Sequence, residues 1–166
     1  NNLFGIRVFD SSPQDGSKYK TPEDSVYAFL NEYMNKNYIP QSGSYAKGSA
    51  PGTKNSGMNV HYASDAFWGS KIAGHMYQFD KAMGGKDFLK NTSPYAIYET
   101  TTDDLNVRSA GTTSSNVLYK YKTAGYVVAV VGTTSDKAFH KILSDSKDDM
   151  YGYISTQYTK ALTFAK

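Results

Sequence analysis

Residues 93–108 read Ser-Pro-Tyr-Ala-Ile-Tyr-Glu-Thr-Thr-Thr-Asp-Asp-Leu-Asn-Val-Arg, and the change of pattern across this stretch decides the fold. Upstream of it, apolar residues recur at helical spacing. From it onward they fall in short runs broken by turns, with Ser93-Pro94 at the boundary. The β-prone runs are Tyr95–Glu99, Asn106–Arg108, Val117–Tyr121, Tyr126–Val131, Phe139–Leu143 and Tyr151–Ser155. Gly- and Ser/Asp-rich turns separate them at roughly ten-residue intervals, the pattern of a small barrel or sandwich.

Working upstream, Ser64-Asp65 predicts the start of a helix on which Trp68, Ile72, Met76, Phe79 and Met83 form one apolar face. Gly84-Gly85 stops it. An earlier helix starts at Thr21-Pro22-Glu23-Asp24. Thr21 can cap, Pro22 suits the first helical position, and the acids favour the positive end of the helix dipole. Val26, Phe29, Leu30, Tyr33 and Met34 then give a stripe of roughly four turns, ending near Asn37 with Pro40 beyond. The Gly-, Ser- and Pro-rich stretch 41–57 predicts a loop, of a length that is usually functional or disordered.

Composition narrows the function. No apolar run approaches the roughly 18 residues of a spanning helix, so membrane insertion is not expected. The chain has no cysteine, which excludes disulfides and thiol chemistry. Its net charge of +3 is dispersed, without the basic stripe of a nucleic-acid binder. His61, His75 and His140 lack metal-ligand spacing, and no glycine-rich stretch ends in Lys-Ser/Thr; neither a metal nor another cofactor is expected. Asn91-Thr92-Ser93 matches a glycosylation sequon. The fifteen tyrosines offer flat apolar faces with hydroxyl handles. Such side chains suit carbohydrate surfaces and equally fill thin cores.

Two separated motifs carry a resemblance. The first is Asn1-Asn2-Leu3-Phe4-Gly5-Ile6-Arg7-Val8-Phe9-Asp10. The second is Gly57-Met58-Asn59-Val60-His61-Tyr62-Ala63-Ser64-Asp65-Ala66-Phe67-Trp68-Gly69-Ser70-Lys71-Ile72-Ala73. With the Thr-Pro-Glu-Asp helix start between them, they resemble the bacterial glucosaminidase family of peptidoglycan hydrolases over about residues 1–88. Leu105-Asn106-Val107-Arg108-Ser109, Gly125–Val130 and Gly152–Tyr158 resemble bacterial SH3-type domains over about 95–162. Phe139 stands where those domains usually carry tryptophan, which puts a ligand groove built on that residue in doubt.

These resemblances imply an α+β chain: part of a lysozyme-like helical domain over 1–92, followed by a small SH3-like β-barrel over 93–166. They imply a secreted endo-β-N-acetylglucosaminidase of the bacterial cell wall, with glycan strands and wall peptides as partners. The alternative is a non-catalytic wall-binding or adhesive module. The family's catalytic glutamate precedes the Asn-Asn-Leu-Phe-Gly-Ile motif, with which this chain opens. The proton donor is therefore expected upstream, and the chain is read as a mature or trimmed product. Glycoside hydrolysis needs a carboxylic acid with a raised pKa. Glu23, in a first helical turn, and Glu32, off the apolar stripe, do not suit that role.

Asp10 is the best remaining carboxylate, as general base or stabiliser, after the strand-like run Ile6, Val8 and Phe9; its competing role is to initiate a turn. Asp15 is a weaker rival. By resemblance Tyr62 lines the cleft, where its hydroxyl orients an N-acetyl group or steadies charge at the anomeric carbon. Asn2, Phe4, Asp65 and Trp68 are the expected substrate-binding residues. Asp65 has a competing role at the helix start, and Trp68 in core packing.

Overall fold

The computed structural model describes residues 1–8, 10–40, 42–43, 48, 50–85 and 95–163. Phe9, much of the loop over 41–49, the sequon at 91–93 and the boundary Ser93-Pro94 lie outside the described residues.

The first helix, α1 (Pro22–Ala28), begins as its sequence dictates. The Asp24 N–H donates to Thr21 Oγ1 at 3.2 Å and the Thr21 N–H to Asp24 Oδ2 at 3.1 Å, a reciprocal capping box. From Phe29 to Tyr38 the chain continues with π-type turns, closed by the Ile39 N–H on the Met34 carbonyl. The wider winding displaces the predicted stripe. Tyr38 is buried, whereas Val26 and Leu30 are exposed.

The second helix, α2 (Trp68–Ala82), starts a few residues later than expected and packs on a different face. Its buried residues are Gly69, Ser70, Gly74 and Asp80, while Met76, Phe79 and Met83 are exposed. A Cβ on Gly74 would sit 2.6 Å from the Gly125 carbonyl oxygen, and one on Gly69 would sit 1.9 Å from that of Gly52. The helix therefore lies backbone against backbone, an approach that only small side chains permit.

Seven strands follow: β1 (Ala96–Thr100), β2 (Leu105–Arg108), β3 (Val117–Tyr121), β4 (Val127–Thr133), β5 (Phe139–Leu143), β6 (Tyr151–Ser155) and β7 (Thr159–Ala161). They form one antiparallel sheet in the order β3-β2-β6-β5-β4-β1-β7. Alternation along the strands sends Leu105 and Val107, Val128 and Val130, Ile142 and Ile154 into one core with Tyr121 and Tyr126. Val107, Tyr121, Ile142 and Ile154 are fully buried.

The expected fold class, a partial lysozyme-like helical domain followed by an SH3-like barrel, is corrected here. The molecule is mostly a seven-stranded antiparallel sheet, with two α-helices among the described residues. Its strand order leaves β3 and β7 as edges, so among the described residues no ladder between them closes the sheet. Among the described residues upstream of β1, the buried apolar ones are Ile6, Tyr38 and Met58, too few for a helical core. Periodicity showed apolar stripes on both helices, but a stripe becomes core only where another layer covers it. No described helix is long and apolar enough to cross a membrane.

Candidate functional site

Residues 1–8 form a tight turn rather than the strand expected before Asp10. The Asn2 side chain brackets it, with Nδ2 donating to the Ile6 carbonyl and Oδ1 accepting from the Ile6 N–H, both at 2.9 Å. Gly5 and Arg7 adopt φ of 61° and 56°. Glycine takes this left-handed region freely, whereas arginine is strained there. The Leu3 N–H donates to Ser25 Oγ, tying the turn to α1. Ile6, 3% exposed, anchors it from below.

The second motif is positioned by a knot of backbone hydrogen bonds. The Met58 and Asn59 N–H groups donate to the Ala50 and Pro51 carbonyls, and Thr53 pairs with Ser56. The C-terminal end of the predicted loop is thus an ordered brace. Asn59, fully buried, donates from Nδ2 to the Asp65 and Ala66 carbonyls. This fixes the segment leading from the Met58–Val60 turn into α2 and sets Tyr62 against the first motif.

The Tyr62 hydroxyl donates to the Phe4 carbonyl across 58 residues of sequence. Its ring lies 4.5 Å from that of Trp68 and meets Phe29 and Tyr38 edge-on, while Phe4 stacks on Phe29 at 4.2 Å. Burial, with Tyr38 and Tyr33 nearby, pushes the Tyr62 phenol up to about 12, so it stays protonated and can donate.

Phe4, Tyr33, Tyr38, Tyr62 and Trp68 line a cavity of about 790 Å³. Of the six predicted site residues, Phe4, Asp10, Tyr62 and Trp68 line it; Asn2 and Asp65 do not. Asn2 holds the turn that carries Phe4. Asp65 accepts from the Phe67 N–H at 2.8 Å and from Lys71 Nζ at 2.7 Å. Burial raises its pKa, but these hydrogen bonds outweigh that and hold it below the usual carboxylate range. Among the described residues, Asp10 is the single carboxylate lining the cavity. Glu32 is exposed and paired with Lys36 at 2.9 Å; Glu23 is exposed in the first turn of α1. No cluster of three metal-ligating side chains occurs among the described residues.

Arg7, His61, Asn37 and Tyr38 also line the cavity and were missed in the sequence, and Tyr33 was read there as core. Arg7 and His61 were visible inside the two motifs. Asn37 and Tyr38 carried no signal, because their approach depends on the π-type winding after Ala28. Phe67 carries the contact with the sheet: its ring lies 5.5 Å from Tyr119 and 5.9 Å from both Tyr121 and Tyr126.

No protein-family model matches the chain. Two curated proteins of Streptococcus pneumoniae, one from serotype 4 (strain ATCC BAA-334 / TIGR4) and one from strain ATCC BAA-255 / R6, are each 38% identical to it over 87 residues. Both bear the name "Putative endo-beta-N-acetylglucosaminidase". Each match covers 52% of this chain and 12% of the relative's length, so the chain corresponds to a small part of these proteins. The similarity supports a glucosaminidase-like relation.

Proposed function

We propose that the chain forms part of a secreted endo-β-N-acetylglucosaminidase acting on the glycan strand of bacterial peptidoglycan, and that the cavity around Tyr62 is its sugar-binding cleft. The observation that carries this reading is the meeting of two distant motifs in one cavity. Phe4 and Asp10 come from one, Tyr62 and Trp68 from the other. Sugar rings have apolar C–H faces and polar rims, and this cavity offers aromatic faces beside a hydroxyl and a carboxylate. Trp68 and Phe4 supply the stacking surfaces. The neutral Tyr62 hydroxyl is held on the Phe4 carbonyl, and its oxygen is left to accept from an amide N–H of the ligand. Asp10 activates water or offsets positive charge at the anomeric carbon.

Hydrolysis also requires a proton donor. With Asp10 the single carboxylate among the described residues lining the cavity, this reading takes the donor from beyond those residues. The same observation favours a second reading, a wall-binding module that holds glycan without cleaving it.

Trp68 is the chain's single tryptophan, so fluorescence excited selectively at tryptophan, beyond the absorption of the tyrosines, reports on this cavity. Titration with a β-1,4 tetramer of N-acetylglucosamine should change it saturably. An unchanged spectrum at millimolar tetramer would overturn the glycan reading. Clearing of wall material by the full-length protein, lost in Asp10→Asn, separates the enzyme from the binding module.

A further inference from the structure

A second cavity, of about 380 Å³, opens where α2 meets the sheet. Its apolar wall is Phe67, Leu118 and Tyr119, and Lys54 and Lys147 supply its charge. Ser64 lines this cavity and the first one as well, so the two are neighbours along one surface.

The two lysines are brought together by construction. Asn55, next to Lys54, donates from Nδ2 to the Ser146 carbonyl at 2.8 Å and to the Asp149 carbonyl at 3.2 Å. The loops bearing Lys54 and Lys147 are thereby clasped side by side. The Ser146 N–H donates to Ser144 Oγ and the Asp148 N–H to Ser146 Oγ, which stiffens the second loop. Lys54 spends two of its three N–H donors on the Asn59 and Ala63 carbonyls, leaving one. Lys147 makes no ion pair among the described residues. The nearest acid on the helical side, Asp65, is engaged by Lys71, and Asp148 and Asp149 do not line the cavity. Burial lowers the pKa of Lys54, and Asp65 offsets this only in part. Two cations held on adjoining loops beside an aromatic wall, with no carboxylate among the described residues lining the cavity, suit an anion attached to an apolar body.

We propose that this junction cavity is a second subsite of the same groove, and that it takes a carboxylate-bearing unit of the strand whose neighbouring sugar occupies the first cavity. The inference rests on the glycan reading above. The carboxylate has two possible sources of one chemistry, the lactyl group of an acidic sugar and the end of a peptide branch.

The test is amide chemical-shift mapping on the intact chain with three probes. These are the neutral N-acetylglucosamine tetramer, the disaccharide of N-acetylglucosamine and N-acetylmuramic acid with its carboxylate free, and D-alanyl-D-alanine. The tetramer should shift Tyr62 and Trp68, and any shift it causes at the junction should be insensitive to Lys147→Gln. At least one acidic probe should shift Phe67, Tyr119 and Lys147, and which one does so identifies the source. Lys147 is exposed and makes no ion pair among the described residues, so Lys147→Gln should leave the fold intact. It should weaken the acidic probe about tenfold or more, the scale for one hydrogen bond to a charged group, without changing tetramer binding. Added salt should weaken the acidic probe in the same selective way. If both acidic probes leave the junction unshifted, or Lys147→Gln leaves their affinity unchanged, the subsite is overturned while tetramer binding keeps the glycan reading. If an acidic probe shifts the junction and the tetramer shifts nothing, the glycan reading fails, and the shared groove with it.

Discussion

Ser70 Oγ lies 2.8 Å and 3.0 Å from the two carboxylate oxygens of Asp145, and this contact bolts α2 to the loop between β5 and β6. Tyr121 OH donates to the same carboxylate at 2.9 Å, and the Asp145 N–H donates to Tyr119 OH at 3.0 Å. Asp145 and Ser70 are both buried, so a carboxylate sits at the seam without a cationic partner among the described contacts.

Burial pushes Asp145 up to about 6 from 3.8, against the pull of the Ser70 and Tyr121 hydroxyls; Asp65 nearby raises it further. The folded-state pKa is raised, so the folded state gains stability on protonation. The gain is complete below about pH 4 and is lost as pH rises through about 6. The rise from 3.8 to about 6 corresponds to about 3 kcal/mol. Urea denaturation should show stability falling between pH 4 and pH 7, and Asp145→Asn should flatten that slope. An equally steep slope in the variant would assign the dependence elsewhere.

Gly74 offers a test by sign. Glycine to alanine inside a helix normally stabilises by about 1 kcal/mol. Here the new Cβ would meet the Gly125 carbonyl at 2.6 Å. Gly74→Ala should therefore destabilise, and a rise in the thermal midpoint would show that α2 does not lie against the sheet in this way.

The sheet core makes a separate demand. Ile154 is fully buried against the core cluster. Ile154→Ala should cost about 2–5 kcal/mol in chemical denaturation. Thr21→Ala, which removes an exposed cap, should cost about 1 kcal/mol, a difference that places the main core in the sheet.

Tyr62→Phe keeps the ring among Phe29, Tyr38 and Trp68 and deletes the donor to the Phe4 carbonyl. It also removes the oxygen proposed to accept the ligand's amide N–H, and losing that hydrogen bond should lower glycan affinity about tenfold, read from Trp68 fluorescence. Full affinity in the variant would leave the hydroxyl without the role assigned to it.

The helix start at Thr21-Pro22 was legible because a cap is written in neighbouring residues, and the strand positions from 95 onward were legible because alternation and turns are local too. Neither helix's packing face could be read in the same way. Met76, Phe79 and Met83 have the spacing of a core stripe, yet they are exposed, and Gly69, Ser70 and Gly74 make the contact. Hydrophobic periodicity records which residues could be buried together. It does not record which surface comes within reach.

The cavity divides in the same way. By itself the sequence determined the two motifs and thereby Phe4, Asp10, Tyr62 and Trp68, since each motif is a short run of adjacent residues. Only the tertiary structure decided that the motifs meet, through the Tyr62 hydroxyl on the Phe4 carbonyl and the buried Asn59 that turns the chain into α2. It also decided that Lys54 and Lys147 share a second cavity, because the hydrogen bonds that clasp them, from Asn55 to the Ser146 and Asp149 carbonyls, span more than ninety residues. Contacts at that separation depend on how the layers pack, and no local pattern encodes them.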